Sequence, residues 1–568
     1  MNIKTELPPE VKKGQFVSLD FEVFGQEKGK LHRPSGTFAC ISIAIEGDSN
    51  VYQLYDSNDL KKLFSLTKKG IPCYHNALYD LRQFRRYVPN VSWNYIHDTM
   101  LVDQSMQGGY YQTFSLGDLS RRWLGEVMDK DVRDDFSTLT EMTPQMKRYA
   151  ARDAQKTLKI ALKQRDAYEG HPAFKAYTVA DEPMILPVLD LQGFRVDVEG
   201  WEKMVAEFQK TSDELEEELG INVMSPQQVK LKAKELGLHL QSTGAEVLME
   251  FGDEPFIQQV ITARMYRKAV STYGLKWLDA VEDDGKVYAS YNITGASATG
   301  RMSCSNPNLQ QIPSRKLPQY RDRFMASEGH VIEVSDIAQQ EPCITAYHTQ
   351  DANLLSAIRN KEDLHLAVAR KIFNDDTLTK EKDADKRAVG KVINLGSAYG
   401  LSSFGMASKL GITEEKASAF LSQYFRHYGG VLFWIGQQRQ QGYANGYVSS
   451  ALGRRSYLNT YDRKWENNAI NSPIQGGAAD FTKIWVRKVW EKSHRAGIPY
   501  TIVAMVHDEI VRDIPRGCLK ESKQIQNEAF QETAEQLYPG VPFTLESEYG
   551  RAWSAKSLHE EMEDEDEA

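Results

Sequence analysis

The sequence predicts a multidomain fold: an α/β domain followed by a larger α+β domain of long helices and antiparallel strands. Three observations carry this expectation. Residues 16–56 hold three short apolar runs, FVSLDFEVF, CISIAIEG and NVYQLYD, the last two joined by a Gly-Asp-Ser turn, and helical segments follow them. Long amphipathic stretches occupy 198–219 and 256–281, and strand-like runs return in HVIEVSDI (330–337) and IVAMV (502–506). The 568 residues suffice for about three or four domains, and with no Gly/Ser- or Pro-rich linker the region 170–195 is expected to pack one unit directly on the next.

Apolar content of 41% and charged content of 26% suit a soluble globular protein. No apolar run reaches the roughly 18 residues that span a bilayer, and the start, MNIKTELPPEVKKG, has no signal-peptide core. A cytoplasmic location without a membrane partner is therefore expected. Cysteines at 40, 73, 304, 343 and 518 are odd in number and form no CxxC pair, which argues against a disulfide framework or zinc ribbon. The net charge of −9 includes seven acids in the last nine residues, EEMEDEDEA; removing them leaves −2. A near-neutral body can still hold a basic groove if its charges are segregated. The acidic tail (557–568) reads as solvated, with partner binding as the alternative.

In FVSLDFEVF, Asp20 and Glu22 share one face of the strand, because side chains alternate. CYHNALYDLRQF sets Asn76 and Asp80 four apart, the spacing of one helical face. The periodic run TPQMKRYAARDAQKTLKIAL does the same for Tyr149 and Asp153. Each piece alone reads as ordinary exposed polar residues. The ordered set DxE, NxxxD, YxxxD is more specific. Four converging carboxylates repel one another unless divalent cations neutralise them, and two such ions would activate a water and stabilise a phosphodiester's leaving oxygen. With HDTMLVDQSM and TFSLGDLSRRWLG, this set resembles the DEDDy-type 3′–5′ exonucleases over roughly residues 14–170. The resemblance implies an RNase H-like fold, Asp20, Glu22, Asp80 and Asp153 as metal ligands, and Tyr149 orienting the attacking water.

Downstream, SATGRMSCSNPNLQQIP (297–313) is poor in apolar residues and rich in amide and small ones. It reads as a segment following a nucleic-acid groove or as a plain surface loop. In HVIEVSDIAQQEPCITAYH a strand ends at Asp336 and a helix starts near Pro342, a good metal position. In DADKRAVGKVINLGSAYG, Arg387, Lys391, Leu395 and Tyr399 recur every four residues, so one helix face carries two cations and then an apolar–aromatic patch. NAINSPIQGGAAD (468–480) reads as an amide-rich turn before a helix. AMVHDEIV (504–511) interrupts an apolar strand with His507, Asp508 and Glu509, either a hairpin tip or a metal site.

In this order, TGRxSxxxPNLQxIP, Asp336 with Glu341, RxxxKxxxLGxxYG, NxPIQGxAAD and VHDE resemble the polymerase motifs of family A DNA polymerases over about residues 180–553. The whole chain resembles a proofreading DNA polymerase I-type enzyme, phage-like in lacking a 5′ nuclease. The domains implied are an exonuclease at 1–175 and a right-hand polymerase at 176–568. Its thumb would span about 195–290, its palm about 291–350 and 450–555, and its fingers about 351–449.

By resemblance, Asp336, Asp508 and the Ile337 carbonyl hold two Mg2+ ions, with Mn2+ as a substitute, and Glu509 has a supporting catalytic role. Arg387, Lys391 and His365 bind the dNTP triphosphate, Lys391 also giving a proton to the leaving group. Gln339, Glu341 and Leu395 line the nucleotide site, Glu341 blocking a ribose 2′-hydroxyl, and Tyr399 closes over the nascent pair. Arg301, Asn308, Gln310, Asn471, Gln475 and His507 contact primer-template DNA. A monomer is implied, with a replication helicase or processivity factor as candidate partner and phage genome replication as the role. A repair or lesion-bypass polymerase, a single-subunit RNA polymerase and an inactive DNA-binding protein are the alternatives. The departures from the family pattern are Leu395 for an aromatic residue, Ile337-Ala338 for Tyr-Ser, Cys343 for Arg and Asn467 for a DNA-contacting Arg. They bear on nucleotide selectivity and DNA affinity.

Overall fold

A computed structural model describes residues 2–25, 35–128, 135–296, 298–314 and 316–554; the acidic tail falls outside them. The amino-terminal unit is built on one mixed sheet. Its strands are β1 (Asn2–Lys4), β2 (Phe16–Phe24), β3 (Thr37–Ile45), β4 (Asn50–Leu54), β5 (Ile71–Tyr74) and β6 (His97–Asp98), in the order β1-β4-β3-β2-β5-β6. β2 runs antiparallel to β3 and parallel to β5. Covered on both faces, β2 is buried throughout except at Asp20 and Glu22. The helix Pro144–Tyr168 crosses β2 and β3. Thr143 caps its start by accepting from the Met146 N–H, and the small residues Ala150, Ala151, Ala154 and Ala161 let it lie close to the sheet.

The strands that follow are β7 (Phe194–Val196), β8 (Lys286–Val287), β9 (Ser290–Ala296), β10 (Arg301–Ser305), β11 (Phe324–Met325), β12 (His330–Ala338), β13 (Tyr447–Ser449), β14 (Arg455–Tyr457), β15 (Ile502–Val506), β16 (Glu509–Pro515) and β17 (Thr544–Gly550). The antiparallel sheet β15-β16-β12-β17 is central to this half. In its register Glu333 faces Arg512 across β12 and β16, and Asp336 faces Glu509 on one side and Glu546 on the other. The helices Trp465–Ala496 and Leu519–Leu537 pack together beside it. The helices Val198–Leu219 and Pro255–Tyr273 lie side by side, and their outer ends share an apolar cluster of their own, Leu219, Val223, Val229, Leu248, Ile257 and Val260 among it.

Three local expectations are corrected. Residues 468–480 form no turn; they lie inside Trp465–Ala496. Gly477 is there for closeness, since a Cβ on it would sit 2.2 Å from the Tyr538 hydroxyl. Residues 301–305 are a strand paired with β9 rather than a loop. β12 continues through Ala338, and its helix begins at Gln340 after Gln339 takes the left-handed conformation (φ 52°). All five cysteines are free, and among the described residues no helix is long and apolar enough to cross a membrane.

Buried charges join the two halves. Asp181, on the connecting segment, accepts from Arg454 (2.8 and 2.9 Å), from Lys483 and from Ser105 of the amino-terminal unit. Arg454 also reaches Asp480 at 2.6 and 2.9 Å, and all four charged side chains are at most 1% exposed. Burial holds the Lys483 ammonium down to about 8. Arg454→Met leaves buried Asp480 without its cation and Asp181 with Lys483 alone; the expected cost is about 3–5 kcal/mol, read as a lower denaturant midpoint. An unchanged midpoint would show that the cluster carries no net stability.

Candidate active sites

The β15–β16 hairpin turns on just two residues, His507 and Asp508, because Val506 pairs directly with Glu509. His507 supplies the positive φ (59°) that such a turn needs at its first position. The polar run is therefore the hairpin tip, and the tip delivers Asp508 to Asp336. Burial, then the charges of Asp508, Glu509 and Glu546, push the Asp336 carboxyl up to about 7. Glu509 is engaged elsewhere: Arg321 donates to its two oxygens (3.1 and 3.0 Å) and the Trp553 indole N–H to one of them (2.8 Å). In this arrangement Glu509 braces the hairpin.

The acids brought together at this point are Asp336 and Asp508, and the Ile337 N–H donates to the Asp336 carboxylate. Among the described residues no three His, Cys, Asp or Glu side chains are gathered into a metal-holding group. Mg2+ commonly binds through one or two carboxylates and completes its shell with water and substrate phosphate, so the pair fits such an ion.

A cleft of about 340 Å³ lies beside Asp508, and His507, Arg301, Gln310 and Glu341 also line it. Five candidates from three distant stretches thus meet. Arg301 donates to Glu341 at 3.0 Å, which opposes the upward push of burial on that carboxyl. Gln310 donates to the Met505 carbonyl at 3.3 Å, tying its segment to β15. Asn308 accepts from the Gln310 N–H (3.0 Å), so it caps the turn that positions Gln310. The helix Trp465–Ala496 lines the cleft through Ala478, Ala479 and Thr482; Asn471 and Gln475 lie half-buried towards its start. Gln339 is the exposed joint between β12 and its helix.

The cationic face is on the helix Ala384–Ala398, with Tyr399 at its carboxyl end. A small cavity of about 20 Å³ is shared by Glu341, Leu395, Tyr399, Asn394 and Tyr424, which links this helix to the cleft. Arg387 donates to Asp363 at 2.6 Å, and Asn394 to His365 at 3.3 Å. Burial, then the charges of Arg387 and Lys391, hold the His365 imidazole below its usual range, with Asp363 opposing. His365, Arg387 and Lys391 are therefore close neighbours, and Lys391 is exposed. Of the departures, Cys343 is buried (3%) and Asn467 lies beside Gly400, its Oδ1 3.2 Å from where a Cβ there would sit.

In the amino-terminal unit, Asp80 accepts the Phe21 N–H at 2.9 Å, which seats it against β2 between Asp20 and Glu22. Burial pushes the Asp80 carboxyl well above its usual range. Tyr149 is hydrogen-bonded to Asp153, and burial, then the charges of Asp153, Glu22 and Asp20, push its hydroxyl up. Asp80 is thus seated on β2, and the charges of Asp153, Glu22 and Asp20 all reach the Tyr149 hydroxyl, although these acids are not drawn together into a metal-holding group. Asn76 departs from the expected helical face: it is left-handed (φ 72°) and precedes the helix Ala77–Arg85.

Sequence reasoning missed Asp363, Asn394, Arg321, Trp553 and Glu546. Asp363 had a local signal as the cap of the helix Leu364–Phe373, where it accepts from His365 and Leu366 N–H groups. The others act across long sequence separations and leave no local pattern.

Gly390 makes the cationic cluster possible, since a Cβ there would lie 2.2 Å from the His365 carbonyl oxygen. In an open helix Gly→Ala stabilises by about 1 kcal/mol. Gly390→Ala is expected to reverse that sign, destabilising by about 1–3 kcal/mol in thermal unfolding; a raised Tm would refute the close approach.

Residues 198–555 match the model for DNA polymerase family A. The chain is 30% identical over 445 residues to DNA polymerase I of Chloroflexus aurantiacus, covering 72% of this chain and 46% of that protein, so it spans about half the length of that relative. It is 28% identical over 557 residues to DNA polymerase I of Aquifex aeolicus, covering 90% and 93%. A solved structure, the POL domain of Pol1 from M. smegmatis in complex with DNA primer-template and dNTP, superposes with a TM-score of 0.81 at 27% identity, covering 96% of this chain and 97% of that one. The chain belongs to DNA polymerase family A.

Proposed function

We propose that this chain is a template-directed DNA polymerase that extends a primer 3′ end with dNTPs and trims it with a 3′–5′ exonuclease in its amino-terminal unit. The observation that carries the reading is the 340 Å³ cleft where Arg301, Gln310, Glu341, His507 and Asp508 meet beside Asp336. Family membership and the neighbour bound to primer-template and dNTP support it.

Phosphoryl transfer asks mainly for positioning and charge stabilisation. Asp336 and Asp508 would hold Mg2+. Bound there, the ions lower the pKa of the attacking hydroxyl and neutralise charge on the leaving phosphate. Arg387, Lys391 and His365 bind the triphosphate, and Lys391, exposed to it, gives up a proton to the leaving group. Glu341, held by Arg301, stands where a ribose 2′-hydroxyl would go and selects dNTP. Tyr399, sharing a cavity with Glu341, closes over the new pair. Arg301, Gln310, His507, Asn471 and Gln475 follow the primer and template. In the amino-terminal unit Asp20, Glu22, Asp80 and Asp153 would hold the cations, and Tyr149 would orient the attacking water. The protein works as a monomer in replication, as in the phage replicases it resembles, and the two carboxylate sets support proofreading synthesis over lesion bypass.

Primer extension and trimming assays separate the two centres. Asp508→Ala is expected to lower synthesis by at least about 10²-fold and to leave trimming intact, whereas Asp20→Ala does the reverse. Parallel loss of both activities in either variant would sink the assignment. Leu395 offers no aromatic hydroxyl to a sugar lacking its 3′-hydroxyl, so dNTP is expected to be favoured over ddNTP by at least about tenfold, or 1.4 kcal/mol. Equal use in competition would reject that role.

A further inference from the structure

A ladder of rings runs across the junction of the two halves. Tyr447 and Tyr457, on β13 and β14, have centroids 5.8 Å apart; Tyr457 meets Tyr110 of the amino-terminal unit at 5.6 Å, and Tyr110 meets Tyr111 at 4.8 Å. A guanidinium closes each end, Arg455 at 4.3 Å from the Tyr447 centroid and Arg122 at 4.0 Å from that of Tyr111. The junction is tight: the Tyr457 N–H donates to the Gly108 carbonyl at 3.2 Å, and a Cβ on Gly109 would lie 3.1 Å from the Tyr457 carbonyl oxygen.

Two features distinguish this ladder from apolar packing. Tyr110 is 63% exposed although it stands at the junction, and among the described residues Arg455 makes no ion pair. The ladder's position is equally specific. Ser456, between Arg455 and Tyr457, donates to the Ala298 carbonyl, three residues before Arg301 of the cleft. The other end lies just beyond the helix Thr99–Met106 of the amino-terminal unit. Arg122 is paired with Asp103 at 2.9 Å and so only caps its end of the ladder, whereas the exposed Tyr110 ring, with the unpaired Arg455 on the same ladder, suits an unpaired base on a phosphate backbone, because every base has a face to stack and stacking asks for no particular sequence.

We infer that Tyr110, Tyr457 and Tyr447, with Arg455, form a stacking platform for single-stranded DNA between the polymerase cleft and the amino-terminal unit. The direction of travel, a frayed primer end passing to the nuclease centre, rests on the function proposed above; the platform itself needs only single-strand binding.

The test uses the full chain with Tyr110→Ala, Arg455→Ala and the conservative Tyr110→Phe. Fluorescence anisotropy in EDTA compares a labelled twelve-nucleotide oligo-dT with a blunt duplex. Each Ala variant is expected to raise the single-strand Kd about tenfold, the loss of one stacked or paired partner, with duplex affinity held within about twofold, while Tyr110→Phe stays near wild type. Trimming of a primer with a mismatched end is expected to fall in step, and trimming of a free oligonucleotide to persist. Unchanged single-strand affinity in both Ala variants, or equal loss for duplex and single strand, would overturn the platform and leave the ladder as packing between the halves. Failure of the wild type to trim either substrate would instead sink the nuclease reading, and the anisotropy would still decide the platform.

Discussion

The register between β12 and its two neighbours is the constraint on which the proposed polymerase centre depends. Side chains alternate along a strand, so a slip of one residue would turn Asp336 away from the cleft, and a slip of two would carry it about 7 Å along the sheet. Directly opposed in that register, Glu333 and Arg512 form an ion pair that is 1% exposed on each side. Gln526, Tyr549 and Ser522 complete its hydrogen bonds. Any slip would leave both charges buried without partners, a cost of several kcal/mol, roughly. The pair lies three residues from Asp336 and on the opposite face, so it stabilises the alignment without entering the chemistry.

A comparable logic joins the two halves. Asp181 sits on the segment between them, yet its partners Arg454 and Lys483 come from elements far along the chain, and Ser105 from the amino-terminal unit. Water is excluded, so the geometry is strict: each carboxylate needs its cation and each cation its carboxylate. The halves are thereby held in a defined relation. Arg454 belongs to this cluster while its neighbour Arg455 faces the ring ladder, so adjacent residues serve rigidity and binding separately.

Much of this was legible in the sequence because the relevant patterns are local. The alternation in FVSLDFEVF announced β2 and set Asp20 and Glu22 on one face, and the four-residue spacing of Arg387, Lys391 and Leu395 announced a helix face. The hairpin tip at His507-Asp508 was visible as one of two readings, and the direct pairing of Val506 with Glu509 decides that the polar run is a turn. Glycine misled where its reason was tertiary. Gly476-Gly477 reads as a turn until Tyr538, some sixty residues on, is seen to need the space. Asn76 misled in the other direction, since i, i+4 spacing cannot reveal a left-handed residue ahead of the first turn. Glu546 facing Asp336 is set by strand order, and Arg321 reaches Glu509 from a short helix far away in the chain, so no short window of sequence contains either pairing.

The helices Val198–Leu219 and Pro255–Tyr273 end in an apolar cluster separate from the principal core. Cooperative units follow shared burial, so this tip can open or tilt at the cost of its own contacts alone. Amide protons around Val223, Val229 and Leu248 should then exchange with solvent through a local event that leaves Asp336 and Asp508 protected. Under the function proposed above, the part best placed to adjust to a duplex is thermodynamically insulated from the part that holds Asp336 and Asp508.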